Sequence, residues 1–331
     1  MRVFIAGGTG LIGTRLVGEL RSRGDRPVVL TRRASGVGDR EEFRGVELVQ
    51  GDPTRPGDWQ GAVDGCDAVV NLAGSNIFSK RWSAEVRRTI RESRVRSTEH
   101  LVDATRRASR RPSAFVLGSA IGYYGPTGDE ELTESSPPGT DFMAEVCKEW
   151  EAAAGPASGD GTRLAIVRTG VVLARGEGAL GVMTPIFKWV PGGAAPIGSG
   201  SVPFAPATGR QWFSWIHLAD IVGIFLMALD RADALGPING TAPRPVRNVE
   251  FGRALARVLH RPFLPVGPPD VALRVVLGGV AEAVTRGQRV LPGRATGLGY
   301  QFRFPEVNEA LEDLLGSHRS ARETPRPTST A

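Results

Sequence analysis

Short apolar runs alternate with longer amphipathic stretches through the first half of this chain. The runs that predict strands are Val3–Ala6, Val28–Leu30, Val46–Gln50, Ala68–Leu72, Ala114–Leu117 and Leu164–Arg168. Helical patterns lie between these runs, most clearly over Ser83–Ser109 and Phe142–Ala154. Strands that alternate with helices predict βαβ units, and therefore an α/β fold with a doubly wound parallel sheet of the Rossmann type.

The alternation loosens after residue 170. Gly and Pro concentrate between Gly176 and Gly209, which predicts loops that could contact a substrate. Helical patterns return at about His217–Leu229 and at Asn248–Leu259. We therefore predict a major domain over residues 1–235 and a small C-terminal domain over 236–316.

The last fifteen residues, 317–331, form a segment rich in Ser, Thr, Arg and Pro. Segments of this composition bury too little apolar surface to fold, so we predict a disordered tail.

Composition narrows the class of protein. With 331 residues, 41% hydrophobic and 23% charged, the chain is typical of a globular enzyme. No run approaches the roughly 18 apolar residues of a membrane span, and no signal peptide precedes the first strand. Two cysteines, Cys66 and Cys147, suit a reducing compartment. We expect a cytoplasmic protein without membrane contacts.

The net charge of +6 raises the question of a nucleic-acid partner. Arginines cluster on the predicted helix between residues 87 and 96, but no aromatic residues interleave with them and no nucleic-acid-binding motif occurs. We interpret the cluster as a solvated helix face and expect no nucleic-acid partner.

Three glycines follow the first strand directly. Gly7 allows a sharp turn, Gly10 lets backbone approach a phosphate, and Gly13 lets the next helix pack closely on the strand. Free N–H groups and the helix dipole would then face an anion, which predicts a dinucleotide site. The residues that we expect at the pyrophosphate are Gly7, Thr9, Gly10, Leu11, Ile12 and Gly13.

The second strand ends in Arg32 and Arg33. A site that prefers NAD would place Asp or Glu near this position to bind the ribose 2′-hydroxyl. Guanidinium groups instead match a phosphate, so these arginines favour NADP(H), with both on the 2′-phosphate. The alternative is that they are ordinary surface charges.

Further polar or small residues follow the predicted strands. Because ligands bind at the carboxyl ends of such strands, Leu72, Ala73 and Gly74 are expected to line the cofactor. Asp52 is either an adenine contact or a loop cap. Ser119 follows the fifth strand.

These residues, together with several longer segments, carry a resemblance to a known family. Over about residues 1–315 the chain resembles the extended short-chain dehydrogenase/reductases, and most of all an atypical subgroup described as epimerase family proteins. The supporting segments are Ser119–Gly125, Ser93–Thr98, Glu145–Glu151, Arg168–Leu173, Gln211–Asp220, Gly287–Pro292 and Gly299–Pro305. The resemblance implies a Rossmann domain with a small substrate-capping C-terminal domain, and a homodimer formed through two helices.

The family's chemistry uses a Ser, a Tyr acid/base and a Lys four residues after the Tyr. The resemblance implies that Ser119 and Lys148 fill the first and last roles, with Lys148 also holding the nicotinamide ribose. Ala144 stands four residues before Lys148, where the Tyr would be, and it cannot transfer a proton. Arg94 replaces the Asn that often precedes this set.

Tyr123 is our first choice for the missing proton donor, with Tyr124 and Glu145 as alternatives. Cys147 is expected to point away from the reaction centre on its helix. Two functions follow: an NADP-dependent oxidoreductase or epimerase-like enzyme acting on a small polar, sugar- or nucleotide-linked substrate, or an NADP(H)-binding regulator that has lost catalysis.

Other candidate residues are interpreted as structural. His217 begins a predicted helix with Asp220 at capping-box distance, which favours a structural or substrate-edge role. Trp212 and Trp215 are more typical of core than of a pocket wall. Four histidines without clustered carboxylates or cysteines predict no metal site. Relative to the subgroup, Ser201–Gly209 resembles an inserted loop.

Overall fold

Seven parallel strands form the central sheet of the computed structural model. The structure describes residues 1–78, 80–189, 195–198, 207–264, 267, 269, 271 and 286–316. In spatial order the strands are β11 (Gly236–Gly240), β7 (Arg163–Thr169), β5 (Ala114–Ala120), β4 (Ala68–Asn71), β1 (Arg2–Ala6), β2 (Arg26–Thr31) and β3 (Glu47–Gln50). The predicted tail and residues 201–206 of the predicted insertion lie outside the described residues.

Shorter strands and eight helices complete the described elements. The short strands are β6 (Glu131–Leu132), β8 (Val171–Ala174), β9 (Trp212–Phe213), β10 (Trp215–His217), β12 (Val246–Arg247) and β13 (Arg289–Val290). The helices are α1 (Leu11–Ser22), α2 (Ala84–Arg107), α3 (Phe142–Ala154), α4 (Gly178–Trp189), α5 (Leu218–Asp230), α6 (Asn248–Val258), α7 (Gly293–Gly297) and α8 (Val307–Leu315). One 3₁₀ turn, Ile121–Tyr124, follows β5.

The strand order reverses between β1 and β4, where Ala6 pairs with Asn71. Ligands of open α/β sheets bind at such a switch point, in the crevice outside the carboxyl ends of the strands. The fold therefore brings the segments that follow β1, β4 and β5 to one edge of the sheet. This arrangement confirms the predicted α/β Rossmann-type class.

Helices cover both faces of the sheet, which explains why its strands are continuous apolar runs instead of alternating ones. Helices α1 and α5 pack together on one face, with Leu16 and Phe225 in a shared core. Helices α2 and α3 cover the other face, where Leu101 and Trp150 are buried. Among the described residues, no helix is long and apolar enough to cross a membrane.

In the C-terminal part of the chain, α6 and α8 pack on each other and bury Phe251 and Leu311 in a separate core, while α7 contacts β11 of the main sheet. The strand β11 belongs to the main sheet, because it pairs with β7 along its whole length. The predicted boundary between residues 235 and 236 therefore lies before the last strand of the sheet.

Candidate active site at the carboxyl edge of the sheet

The turn after β1 is shaped around glycine. Gly7 has a φ of 77°, and a Cβ there would lie 2.5 Å from the carbonyl carbon of Leu72 after β4. A Cβ at Gly13 would overlap the carbonyl oxygen of Gly7. Both close approaches exclude a larger side chain, and together they bring the start of α1 against the ends of β1 and β4.

Gly10 differs from these two glycines, since a Cβ there would meet only the Gly7 carbonyl oxygen, at 3.4 Å. Gly10 is also the N-cap of α1, without a side-chain cap and without an acidic residue in the first turn. Among the described residues, the first N–H groups of α1 therefore have no side-chain partner, which is the arrangement that binds a phosphate. The residues present fit the pyrophosphate of a dinucleotide.

The end of β2 presents Arg32 and Arg33, and both side chains are exposed. The hydroxyl of Thr31 accepts a hydrogen bond from the backbone N–H of Arg33 at 3.3 Å, which fixes the turn that carries them. Their exposure is compatible with either predicted interpretation, a phosphate contact or surface charge.

Asp52 caps its own loop at the end of β3. One carboxylate oxygen accepts hydrogen bonds from the backbone N–H of Thr54 at 2.9 Å and from its hydroxyl at 2.8 Å. Partial burial opposes ionisation, but these hydrogen bonds and the charge of Arg32 outweigh it and lower the pKa of Asp52. Of the two predicted roles, the loop cap is present in the structure, and an adenine contact stays a prediction.

The segment after β4 is held by a buried amide. Asn71 is fully buried; it accepts from the backbone N–H of Ala73 at 3.0 Å and donates to the hydroxyl of Thr98 on α2 at 2.9 Å. Leu72, Ala73 and Gly74 are thereby fixed beside the glycine turn. This pair of contacts was not foreseen from the sequence, although Asn71 directly precedes the predicted cofactor segment.

Helix α3 turns an unexpected face toward the end of β5. A Cβ at Gly122 would lie 3.5 Å from the Cβ of Met143 and 3.8 Å from the Sγ of Cys147. Cys147 is buried, whereas Lys148 and Glu145 are exposed. Cys147 and Lys148 therefore point in different directions from α3, and the i, i+4 pair facing the 3₁₀ turn is Met143 and Cys147. Lys148 lies one residue, about 100°, further around the helix.

Ser119 belongs to a buried ionic network. Its hydroxyl donates to Glu151 on α3 at 2.7 Å, and Glu151 forms a bidentate pair with Arg168 on β7, at 2.9 and 2.7 Å. The exposed fractions of the Arg168 and Glu151 side chains are 4% and 10%. Burial opposes the charge of Arg168, but the hydrogen bonds and charge of Glu151 raise the pKa of Arg168 above the ordinary value, so the guanidinium stays charged.

Tyr124 extends this network and Tyr123 borders it. The buried hydroxyl of Tyr124 donates to Asn239 at 2.7 Å and accepts from Arg168 at 2.9 Å. The Tyr123 ring lies on the Arg168 guanidinium, with 3.4 Å between the guanidinium carbon and the ring centroid. Among the described residues, none forms a hydrogen bond with the Tyr123 hydroxyl, so this phenol is available to a ligand.

His217 and its neighbours are structural in this arrangement. Nδ1 of His217 accepts from the backbone N–H of Ala219 at 3.0 Å, and its ring lies on Phe304. Burial lowers the pKa of His217 below its ordinary value. Asp220 does not form the expected capping box; its carboxylate accepts from the backbone of Arg303 and Phe304 and so anchors the C-terminal segment.

The two tryptophans differ. Trp215 is fully buried, as predicted for core, whereas Trp212 lies between the guanidiniums of Arg247 and Arg289, at 4.0 and 4.6 Å from its ring centroids. In the part of the chain that the structure describes, no group of His, Cys, Asp or Glu could hold a metal ion.

Two cavities lie at different edges of the molecule. One of about 400 Å³ adjoins Tyr124 and the loop that leads into α3, on the same side as the carboxyl ends of the strands. A larger one, about 690 Å³, is lined by Met1, Arg23 and Arg163 at the opposite edge. Because ligands of these sheets bind at the carboxyl ends, the smaller cavity is the one relevant to the site.

The fold and the glycine turn together define a protein of the Rossmann-type dinucleotide-binding class. Residues 3–239 match the model of the NAD dependent epimerase/dehydratase family, and residues 268–314 match a domain of unknown function. The chain belongs to this epimerase/dehydratase family, as the sequence predicted.

Several relatives resemble it along nearly its whole length. It is 42% identical to the chloroplastic epimerase family protein SDR39U1 homolog of Arabidopsis thaliana, covering 95% of this chain and 87% of the relative. It is 38% identical to the Homo sapiens epimerase family protein SDR39U1, covering 95% and 100%. A crystal structure of human SDR39U1 (isoform2) with NADPH matches with a TM-score of 0.82 and 35% identity, covering 95% of this chain and 99% of that one.

Proposed function

We propose that this protein binds NADP(H) and acts as an oxidoreductase or epimerase-like enzyme on a small polar substrate. The observation that carries the proposal is the glycine turn after β1, with the uncapped start of α1 beside it and two exposed arginines at the end of β2. The NADPH in the crystal structure of the human relative supports this choice of cofactor.

The roles of the residues follow from their positions. Gly7, Gly10 and Gly13 would let the backbone N–H groups of α1 reach the pyrophosphate, and Arg32 with Arg33 would bind the 2′-phosphate. Thr9, Leu11 and Ile12 at the turn, and Leu72, Ala73 and Gly74 after β4, would line the same crevice. When bound, the nicotinamide would supply hydride transfer.

Proton transfer needs a residue of this chain near the reacting atoms. We propose Tyr123 because its hydroxyl is free of partners among the described residues, whereas the Tyr124 hydroxyl is committed to Asn239 and Arg168. Ser119 would contribute as a hydrogen-bond acceptor or exchange its bond to Glu151 for one to the substrate. The family resemblance implies that Lys148 contacts the nicotinamide ribose, but its side chain is exposed on α3, so we do not assign it to the cofactor; a Lys148 variant tests this below.

A second function is favoured by the face of α3. The two positions that face the 3₁₀ turn at the family's Tyr-to-Lys spacing are Met143 and Cys147, and neither is an acid/base at neutral pH. Burial raises the pKa of the Cys147 thiol to about 12. A protein that keeps the cofactor site and lacks proton transfer would act as an NADP(H)-dependent regulator.

The deciding experiment measures cofactor binding and turnover separately. NADPH affinity is titrated first, and oxidation of bound NADPH is then followed by its absorbance against a panel of aldehydes, ketones and nucleotide-linked sugars. We expect NADPH binding and turnover of a compound in the panel. Tyr123→Phe should lower the rate by about 100-fold, the low end for a lost general acid, and leave NADPH affinity unchanged.

Tyr124→Phe is the matched control, since it removes a hydroxyl from the neighbouring ring. It should reduce stability through lost hydrogen bonds to Asn239 and Arg168 and keep most of the rate in the folded protein. Tight NADPH binding without turnover of any compound would favour the regulator. Failure to bind NADPH would contradict both functions.

A further inference from the structure

Arg94 is a cation on α2 that reaches toward the edge of the sheet where the site lies. Its side chain is partly buried, and the guanidinium donates to the carbonyl oxygens of Ser75 and Ile90, each at 3.1 Å. The guanidinium carbon also lies 5.2 Å from the ring centroid of Trp150 on α3. These contacts hold the group in one place between α2, α3 and the segment after β4.

No carboxylate of the described residues lies within 4.0 Å of this guanidinium, the distance that defines an ion pair here. Neighbouring arginines of the same helix are paired: Arg91 with Glu145 and Glu149 at 3.7 and 3.3 Å, and Arg96 with Glu92 at 3.1 Å. Burial lowers the pKa of Arg94, because the charge loses water without gaining an anion. A partly buried charge of this kind is costly unless a partner arrives.

The surroundings of Arg94 place it at the reaction end of the crevice. A Cβ at Gly74 would lie 3.1 Å from its guanidinium carbon. Cys147 is close enough for its charge to interact with that of Arg94, but burial keeps the thiol protonated, so it does not neutralise the arginine. Arg94 is therefore adjacent both to the predicted cofactor segment and to the face of α3 that carries Cys147 and Trp150.

The phosphates of the cofactor are assigned elsewhere in the crevice. We assign the pyrophosphate to the start of α1, after β1, and the 2′-phosphate to Arg32 and Arg33, after β2. The strand β2 is two positions from β4 in the sheet, about 10 Å at the usual strand spacing. Arg94 lies on α2, which packs against α3 on the opposite face of the sheet from α1, so we assign to it an anion that the cofactor does not bring.

We propose that Arg94 binds an oxyanion of the substrate, a carboxylate or a phosphate group, at the reaction end of the crevice. Arginine has five N–H donors in a planar fork that matches either anion, and those not used by Ser75 and Ile90 can form the new bonds. The inference rests on the proposed function, because the anion belongs to the molecule that meets the nicotinamide. The inference narrows the proposed class of substrate from small polar molecules to anionic ones.

The test uses protein saturated with NADPH, so that the cofactor's own phosphate sites are filled. Orthophosphate and acetate are titrated separately, with acetamide as the neutral counterpart of acetate, and binding is followed by the fluorescence of the bound nicotinamide and by calorimetry. We expect one of the two anions to bind and acetamide not to bind. Arg94→Met should weaken the binding of that anion by at least about tenfold, as expected for the loss of a charge-assisted hydrogen bond.

Two further variants make the result specific. Arg94→Lys keeps the positive charge but loses the planar set of N–H donors, so it should retain part of the affinity for the anion. Arg88→Met, an exposed arginine six residues earlier on α2, should behave as wild type. NADPH affinity and thermal unfolding are measured for each variant, so that loss of the fold or of the cofactor site is seen separately.

The anion that binds identifies its source: preference for orthophosphate indicates a phosphorylated substrate, and preference for acetate indicates a carboxylic acid. The proposal is overturned if neither anion binds the NADPH-loaded wild type, or if Arg94→Met binds the anion as the wild type does. The proposal is also overturned if Arg94→Met weakens NADPH binding and leaves anion binding unchanged, because Arg94 would then bind the cofactor. Absence of NADPH binding in the wild type contradicts the proposed function itself.

Discussion

The carboxyl ends of β1 and β2 and those of β5 and β7 lie along one edge of the sheet, but they differ in what they offer a ligand. The first pair presents the N–H groups at the start of α1, which have no side-chain cap among the described residues, and two exposed arginines, Arg32 and Arg33. The second pair is internally satisfied: Ser119, Glu151 and Arg168 bind one another. We refer to these as the cofactor end and the reaction end.

The difference shows which kind of site each end can be. The hydrogen-bond donors at the cofactor end remain available until an anion binds. The cofactor end is therefore suited to binding an anionic ligand. At the reaction end the charged groups mainly hold α3 and β7 together, and among the described residues the Tyr123 hydroxyl and the Arg94 guanidinium are the groups that we propose for a ligand. The polar side chains of Ser119, Glu151 and Arg168 therefore have a structural role.

Removing the charge of Arg168 should give the largest effect. Arg168→Met leaves the carboxylate of Glu151 buried without its partner, so we expect the free energy of unfolding to fall by about 3–5 kcal/mol. Urea unfolding followed by circular dichroism measures the change. If the two ends are independent, the variant that remains folded at low temperature binds NADPH as the wild type does.

Two variants control this prediction. Arg231→Met breaks an exposed pair with Asp233, so its effect should stay below about 1 kcal/mol. Replacing both Arg168 and Glu151 with Met should recover part of the loss, because no buried charge is then left unpaired. A loss for Arg168→Met no larger than that for Arg231→Met would contradict the structural role of the network.

Removing the charges at the cofactor end should change selectivity instead of stability. The double variant Arg32→Ala, Arg33→Ala should weaken NADPH binding by about 10- to 100-fold relative to NADH binding. Hydrogen bonds to charged groups contribute about 1.5–3 kcal/mol, which corresponds to this change in affinity. Titration of both cofactors gives the ratio directly.

Arg26→Ala is the matched control for this prediction, because Arg26 is exposed at the opposite end of the same strand. It should leave both affinities unchanged. Equal losses of NADPH and NADH in the double variant would assign Arg32 and Arg33 to the surface and remove the argument for a 2′-phosphate site.

The fold was readily predictable because its signals are local. The six predicted strands and the helices Phe142–Ala154 and Asn248–Leu259 agree with the structure to within a few residues. The strand β11 was missed since Gly236–Gly240 contains one large apolar residue, Ile238, and becomes a strand through pairing with β7. Pairing over such a sequence distance leaves no local pattern.

The candidate site could be predicted only where its residues lie next to one another in the sequence. The glycine turn is one contiguous segment, so its geometry could be inferred. Helix α3 buries Cys147 and Trp150 and leaves Lys148 exposed, and this apolar face was the available signal for its orientation. The pair of Glu151 with the distant Arg168 could not be predicted, because nothing near Glu151 in the sequence indicates its partner.

Lys148 gives the smallest expected effect and the finest test of the difference between the two ends. Its side chain is exposed on α3, on the same side of the helix as Glu145 and not on the side of Met143 and Cys147. We therefore expect Lys148→Met to change NADPH affinity by less than about twofold, which is below 0.5 kcal/mol, as for an exposed cation. Arg88→Met, another exposed helical cation, sets the baseline, and the Arg32→Ala, Arg33→Ala variant gives the scale of a real cofactor contact. A tenfold loss for Lys148→Met would show that the lysine reaches the nicotinamide ribose, as the family resemblance implies, and would restore an acid/base partner to the reaction end. An unchanged affinity would instead show that Lys148 is a surface cation and that the reaction end lacks the lysine that the family resemblance implies.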